Sequence, residues 1–159
     1  FKKLNKIKYL NYIARVMEKY YKEDKNFNLR LVIIYTGDVK SAEPFFETNC
    51  ITLRMEQAFL SHIDGKAAFD TIQHKIISGT PLEDDDLMKL VILPLTVPGT
   101  EGKQEMLEKV VELAEQIKDN EQQIFILSGV IVASDKFINR DYLKQIRSFL
   151  YNKNVDVEN

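Results

Sequence analysis

Residues 29–35 read Leu-Arg-Leu-Val-Ile-Ile-Tyr, and Thr36-Gly37-Asp38 follows at once. The run is short and rich in β-branched side chains, with Asn28 before it and a Thr-Gly-Asp turn signal after it. A stretch of this kind suits a strand buried on both faces. A long amphipathic helix is predicted ahead of it. Over residues 3–22, Leu4, Ile7, Leu10, Ile13, Met17 and Tyr20 recur at spacings of three and four. Helix followed by buried strand is a step into a sheet, so the chain reads as α/β and helix-rich.

Further along, Ile51-Thr52-Leu53-Arg54-Met55 alternates apolar and polar side chains, as a half-buried or edge strand does. Asp64-Gly65 signals a turn, and residues 66–78 are predicted helical with Gly79 as the C-terminal cap. In Thr80-Pro81-Leu82-Glu83, threonine caps, proline takes the first helical position and Glu83 closes a capping box. That helix is predicted to run to Leu93 and stop before Pro94. Residues 103–118 form another, with Leu107, Val110, Val111, Ala114 and Ile117 on one face.

Residues 124–133 fit either helix or strand by pattern, and the capping pair Asp119-Asn120 favours helix. Asn139 caps a last helix with Leu143, Ile146, Phe149 and Leu150 facing inward, and Asn152 to Asn159 read as a polar, frayed tail. The inventory is two strands and five or six helices. Two strands are too few for a free-standing sheet. The division drawn is residues 1–60 as an α/β core remnant and 61–159 as a helical C-terminal subdomain, packed as one compact unit.

Composition narrows the classes. At 159 residues and 45% hydrophobic, the chain can bury a sizeable core. No apolar run reaches the roughly 18–20 residues that span a bilayer, and the lysine-rich N-terminus lacks a secretory cleavage site. The single cysteine, Cys50, forms no internal disulfide, which fits a reducing, cytoplasmic compartment. Phe1 is not an initiator methionine, so the chain reads as beginning inside a longer gene product. The net charge of −2 is unevenly spread: residues 1–25 hold eight basic and three acidic residues, a net of +5, which leaves −7 for the rest. A basic opening helix steers a polyanion or simply forms a solvated face.

Several motifs invite chemistry and have plainer explanations. His62 and His74 stand twelve apart without cysteine or carboxylate at zinc-site spacing. Glu83-Asp84-Asp85-Asp86 suits a hard cation, yet acids in a first helical turn are what the helix dipole favours. Gly37-Asp38 ends the central strand, where open α/β sheets often place sites, and also makes a turn. No dinucleotide, P-loop or nucleophile-elbow motif occurs. A metal nuclease needs an aspartate on one strand and Glu-x-Lys or Glu-x-Gln on the next. Met55-Glu56-Gln57 places its two polar residues on opposite faces, and Asp64-Gly65-Lys66 sits in a turn. Tyr9, Tyr12, Tyr20 and Tyr21 share the basic first helix, as stacking groups for nucleic acid or as half-buried edge residues. Arg140, Lys144 and Arg147 form a basic stripe on the last helix.

Other residues carry a resemblance. Ile7-Lys8-Tyr9-Leu10, then Leu31 to Val39, Phe59-Leu60 with Ile63-Asp64-Gly65, Ile76 to Gly79, Leu90 to Leu95, Ile126 to Val130 and Asp135 to Ile138 follow one another in a familiar order. Over nearly its whole length the chain resembles the recombination-promoting nuclease/transposase family of bacteria, a mobile-element group of the PD-(D/E)XK superfamily. The resemblance implies an incomplete PD-(D/E)XK-like sheet with a helical C-terminal subdomain. In the family the metal-binding Asp and Glu-x-Gln precede the helix that opens this chain, so no catalytic or metal residue carries over. Magnesium would belong to the intact enzyme and not to this chain. Lys8 and Tyr9 fall where the family has a basic-aromatic pair, although arginine is usual at the position of Lys8. The DNA-contact candidates are Lys8, Tyr9, Tyr12, Arg15, Arg140, Lys144 and Arg147. The alternative is a non-catalytic binding or oligomerisation module, with a homodimer as its partner state.

Overall fold

A computed structural model describes residues 3–23, 26–137 and 139–157. Phe1 and Ile138 lie outside the described residues, as does the side chain of Phe149. The elements run α1 (Lys3–Lys22), β1 (Val32–Tyr35), β2 (Phe45–Glu47), β3 (Thr52–Arg54), β4 (Glu56–Phe59), a 3-10 turn (Leu60–His62), α2 (Gly65–Ser78), α3 (Asp84–Thr96), α4 (Thr100–Ala114), α5 (Asn120–Ser134) and α6 (Arg140–Val157). The class is α/β and helix-rich. Two compact units are distinguished: Phe1–Tyr35 with Val39–Phe59, and Thr36–Asp38 with Leu60–Asn159.

In the first unit β1 pairs with β4 in parallel, Val32 opposite Glu56 and Tyr35 opposite Phe59. The period of two turns Ile33 and Tyr35 inward to Leu53 and Met55, and Tyr9, Leu10 and Ile13 of α1 pack on this cluster. The Tyr35 and Phe59 rings stack with centroids 4.9 Å apart. The other face corrects the expectation of a strand buried on both sides. Val32 is 54% and Ile34 65% exposed, because no element among the described residues covers that face. Pattern alone cannot tell whether the cover for an apolar face is present.

Two strands escaped the sequence reading. β2 is three residues long and follows Pro44; it pairs antiparallel with β3 through a turn closed by Thr48 N donating to Ile51 O at 2.8 Å. β4, Glu-Gln-Ala-Phe, has weak strand propensity and is held by its ladder to β1, which Glu56 N opens by donating to Leu31 O. The buried stripe of α1 is also rotated from the one expected. Ile7 and Met17 are about half exposed, whereas Lys6 is buried and bonds Glu43 at 2.8 Å and the Phe45 carbonyl at 3.2 Å.

The second unit buries α3 most deeply, with Leu90 and Leu93 inaccessible beside Leu107, Val110, Ile126, Leu127 and Val130. Asp64 caps α2 by accepting from Ala67 N, and Gly79 closes it at φ 71°. α3 starts later than expected, at Asp84, because Glu83 N donates to the Asp86 carboxylate at 3.0 Å; Thr80 instead bonds Ser78. It also runs past Pro94 to Thr96. A proline costs a helix the bond its own N–H would have made, and so close to the C-terminus few bonds remain to be disturbed. Asp119 caps α5 and Asn139 caps α6, both by accepting from backbone N–H groups one turn on. α6 continues to Val157, where a frayed tail was expected.

Gly37 donates its N–H to Leu95 O at 2.7 Å, and a Cβ at this position would collide with the Thr96 carbonyl. Gly37→Ala should therefore cost about 1–3 kcal/mol of stability through overpacking. Urea denaturation checks it, and an unchanged midpoint would show that the close approach is not needed.

Candidate nucleic-acid interface

The exposed side of α1 gathers its cations into one line. Lys8, Tyr12, Arg15, Lys19 and Lys22 follow at steps of four, three, four and three, and all are exposed. At 1.5 Å per residue the stripe is about 21 Å long. Tyr12, 60% exposed, lies among these cations. Lys22 meets Glu18 at 2.6 Å, but both side chains are largely solvated, so the pair holds little of the charge. Tyr9 is excluded from the stripe: it is half-buried against the cluster of Ile33 and Tyr35. From Ala14 to Lys22 every α1 residue is exposed, which leaves this half of the helix accessible.

Arg140, Lys144 and Arg147 stand exposed on α6 in the second unit. Lys144 is drawn to Asp141 at 2.9 Å, a solvated pair one turn along the same helix. Of the seven candidates, the structure therefore places Lys8, Tyr12 and Arg15 on one stripe and the α6 trio on another. Lys19 and Lys22 complete the α1 stripe. Their signal in the sequence was the heptad-like spacing of the cations, which apolar periodicity obscured.

The nuclease decoys separate. Glu56 points outward to a bidentate pair with Arg30 at 2.7 and 2.5 Å, and that pairing holds its carboxyl below the usual range. Gln57 points the other way, to Tyr35 Oη and the Glu43 carbonyl. Asp64 is spent as a helix cap. Asp86 is buried against Lys75 at 2.7 Å, and Asp85 pairs with Lys89. Among the described residues no three His, Cys, Asp or Glu side chains are grouped to hold a metal. His62, His74 and Cys50 are exposed.

Asp38 sits in a different setting. It accepts from Gly99 N at 2.7 Å, from Thr36 Oγ1 at 3.0 Å and from Lys103 Nζ, whose side chain is only 8% exposed. The lysine first, then the backbone N–H, lower the carboxyl from 3.8 to about 2. The sequence reading passed over Lys103, yet it stands four residues before Leu107 and seven before Val110, on the apolar face of α4. A lysine at a core-facing position signals a buried partner.

No protein-family model, curated protein or solved structure matches the chain. Among the described residues no helix is long and apolar enough to cross a membrane.

Because the folded-state carboxyl of Asp38 is depressed, its stabilisation is fully present above 3.8 and is lost as pH falls through about 2. Asp38→Asn should lose roughly 1–3 kcal/mol at neutral pH by leaving Lys103 buried without its counter-charge. The gap to wild type should close across the acid range, and Asp38→Asn with Lys103→Met should recover part of the loss. Denaturant melts at several pH values read all three, and a pH-independent gap would mean that the ion pair contributes nothing.

Proposed function

We propose that this chain is the DNA-contacting, non-catalytic part of a bacterial PD-(D/E)XK-like endonuclease/transposase, a cytoplasmic protein of mobile-element origin. The observation that carries the reading is the exposed α1 stripe, four cations and a tyrosine on one helical line. Lysine and arginine in such a line neutralise successive phosphates and release counterions, and an accessible tyrosine among them offers a ring to a base or sugar. The parallel β1–β4 pair supports the wider reading. Parallel strands are normally covered on both faces and flanked by others, and here the Val32–Ile34 face is bare. Strands bearing a metal site would supply neighbours of that kind. Under this reading magnesium belongs to those strands, and the carboxylates of this chain take no catalytic role.

The same bare face favours a second reading, a binding or oligomerisation module. Among the described residues β1 pairs on one side only, and a strand with an open edge and an apolar face is a template for another chain.

Anisotropy of a labelled DNA duplex tests the first reading. Binding should weaken with salt at a slope of about −3 to −4, one phosphate for each stripe cation. Arg15→Glu with Lys19→Glu should lower the slope by about two and weaken binding to every sequence alike. Salt-insensitive binding, or an unchanged slope in that variant, would remove α1 as the interface. Magnesium-dependent cutting that disappears in Asp38→Ala or Glu56→Ala would overturn the non-catalytic assignment.

A further inference from the structure

The second unit carries an acidic counterpart of the α1 stripe. On α4 and its C-cap, Glu101, Glu105, Glu108, Glu112 and Glu115 follow at steps of four, three, four and three, the same spacing as Lys8, Tyr12, Arg15, Lys19 and Lys22. Both lines span fourteen residue steps, about 21 Å of helix. Glu108 is half-buried and takes a bond from Gln104, and the other four glutamates are exposed. Among the described residues none of the five makes an ion pair. Lys109, between Glu105 and Glu112, is the one cation beside them on α4. The cations of α6 are not drawn to them either, since Lys144 is bonded to Asp141.

The glutamates are felt by their neighbours. Burial, then Glu108, Glu112 and Glu115 in turn, push the Tyr142 hydroxyl up to about 12. Beside the first half of the stripe runs an open groove of about 480 Å³, lined by Glu101, Glu105 and Glu108 with Phe137. An aromatic floor below carboxylates suits a long cationic side chain, whose stem covers the ring while its head meets the acid. Five carboxylates without counter-charges repel one another along one face, which costs stability unless cations arrive from outside.

We propose that the α4 glutamate stripe is a docking surface for the basic stripe of α1 from a second copy of this chain. Charge complementarity names that occupant. The unit containing α1 carries a formal net of +5 and the unit containing α4 a net of −7. The two stripes match in length, and a second copy always supplies both. Antiparallel seating brings Lys19 and Lys22 to the Phe137 groove and also opposes the helix dipoles. Val16 and Tyr20, each 36% exposed on α1, add apolar area at the margin of the contact. The α1 face is the one assigned above to DNA, so self-association and DNA binding compete for it. The docking itself does not depend on the DNA reading and is tested without DNA.

A charge-swap experiment with the whole chain tests the proposal by light scattering. Wild type should associate at about 20 mM salt and dissociate by about 300 mM, where charges farther apart than the screening length no longer attract. The α1 variant Arg15→Glu/Lys19→Glu and the α4 variant Glu105→Lys/Glu112→Lys should each associate at least tenfold more weakly than wild type. Mixed together, they should associate with each other, because the unchanged α4 of one then faces the unchanged α1 of the other. A wild type that stays monomeric at low salt overturns the proposal, as does one whose association survives either reversal. A mixture that does not associate while wild type does also overturns it. Circular dichroism of the two variants separates a lost contact from a lost fold, and rescue in the mixture cannot arise from misfolding. Loss of DNA binding in the α1 variant alone would speak to the DNA reading and not to this one.

Discussion

Two residues just after β1 satisfy the ends of two helices. Gly37 N–H takes the Leu95 carbonyl in the last turn of α3, and Asp38 takes the Gly99 N–H at the start of α4. The α3–α4 joint, Val97-Pro98-Gly99, has no capping side chain of its own, since Gly99 has none to offer. Helix ends leave backbone groups that need partners, and here the partners come from sixty residues upstream. The same carboxylate makes the burial of Lys103 tolerable. Without Asp38, a cation on the apolar face of α4 would stand beside Leu107 and Val110 with no opposite charge. Nothing larger than glycine fits at 37, so the contact depends on that residue as much as on the acid after it. α3 then serves as the centre of its unit, and Val91 meets α5 at Gly129, where a side chain would be in the way.

The first unit follows the opposite logic. Its core is one layer of side chains, Ile33, Tyr35, Leu53 and Met55, under part of a single helix. Lys6 ties that helix to β2 through Glu43 and the Phe45 carbonyl, with its ammonium 5.8 Å from the Phe46 ring. Beyond Ile13 every described residue of the helix is exposed, and Tyr20 meets the Phe27 ring at 5.3 Å. Val32, Ile34, Met17 and Tyr21 expose apolar area that most isolated units of this size bury. Burial stabilises by about 25 cal/mol per Å², so a second surface that covered these side chains would add stability this unit lacks. Both readings of its role begin from that deficit.

Local patterns were the most legible part of the sequence. Gly79, Asp119 and Asn139 act as the caps expected, and Asp64, read as part of a turn, caps α2 as well, because each mechanism needs only a few neighbouring residues. Among the described residues apolar periodicity located most of the helices within a few residues, while α5 needed its Asp119 cap because its pattern fits helix or strand. Non-local pairing was far less legible. β4 exists because β1 lies beside it, and nothing in Glu56-Gln57-Ala58-Phe59 announces that. The exposure of Val32 and Ile34 depends on an absent neighbour, which no pattern in the strand records. The Asp38–Lys103 pair joins residues sixty-five apart, and each looked ordinary alone: a turn aspartate and a helical lysine. α1 was recognised as a helix while its buried face was misjudged, because Lys6 found a partner and Met17 did not.

Charge and shape act over different ranges on this surface. A contact pair such as Asp38–Lys103, whose lysine is buried, works at contact distance, whereas an exposed stripe acts over a screening length of roughly 10 Å at 0.1 M salt. The cations of α1 therefore attract a polyanion before any side chain touches it, and they attract any line of negative charge of similar length. A helix with a glutamate at every third or fourth residue along one face is such a line. Phosphates arrive with condensed counterions whose release supplies the free energy, while glutamates on a folded helix hold far fewer. The DNA contact is thus the steeper function of salt, and the contact with α4 is the one that shape has to complete. The groove beside Phe137 is where shape can do so, because there an aromatic ring lines the same groove as Glu101, Glu105 and Glu108.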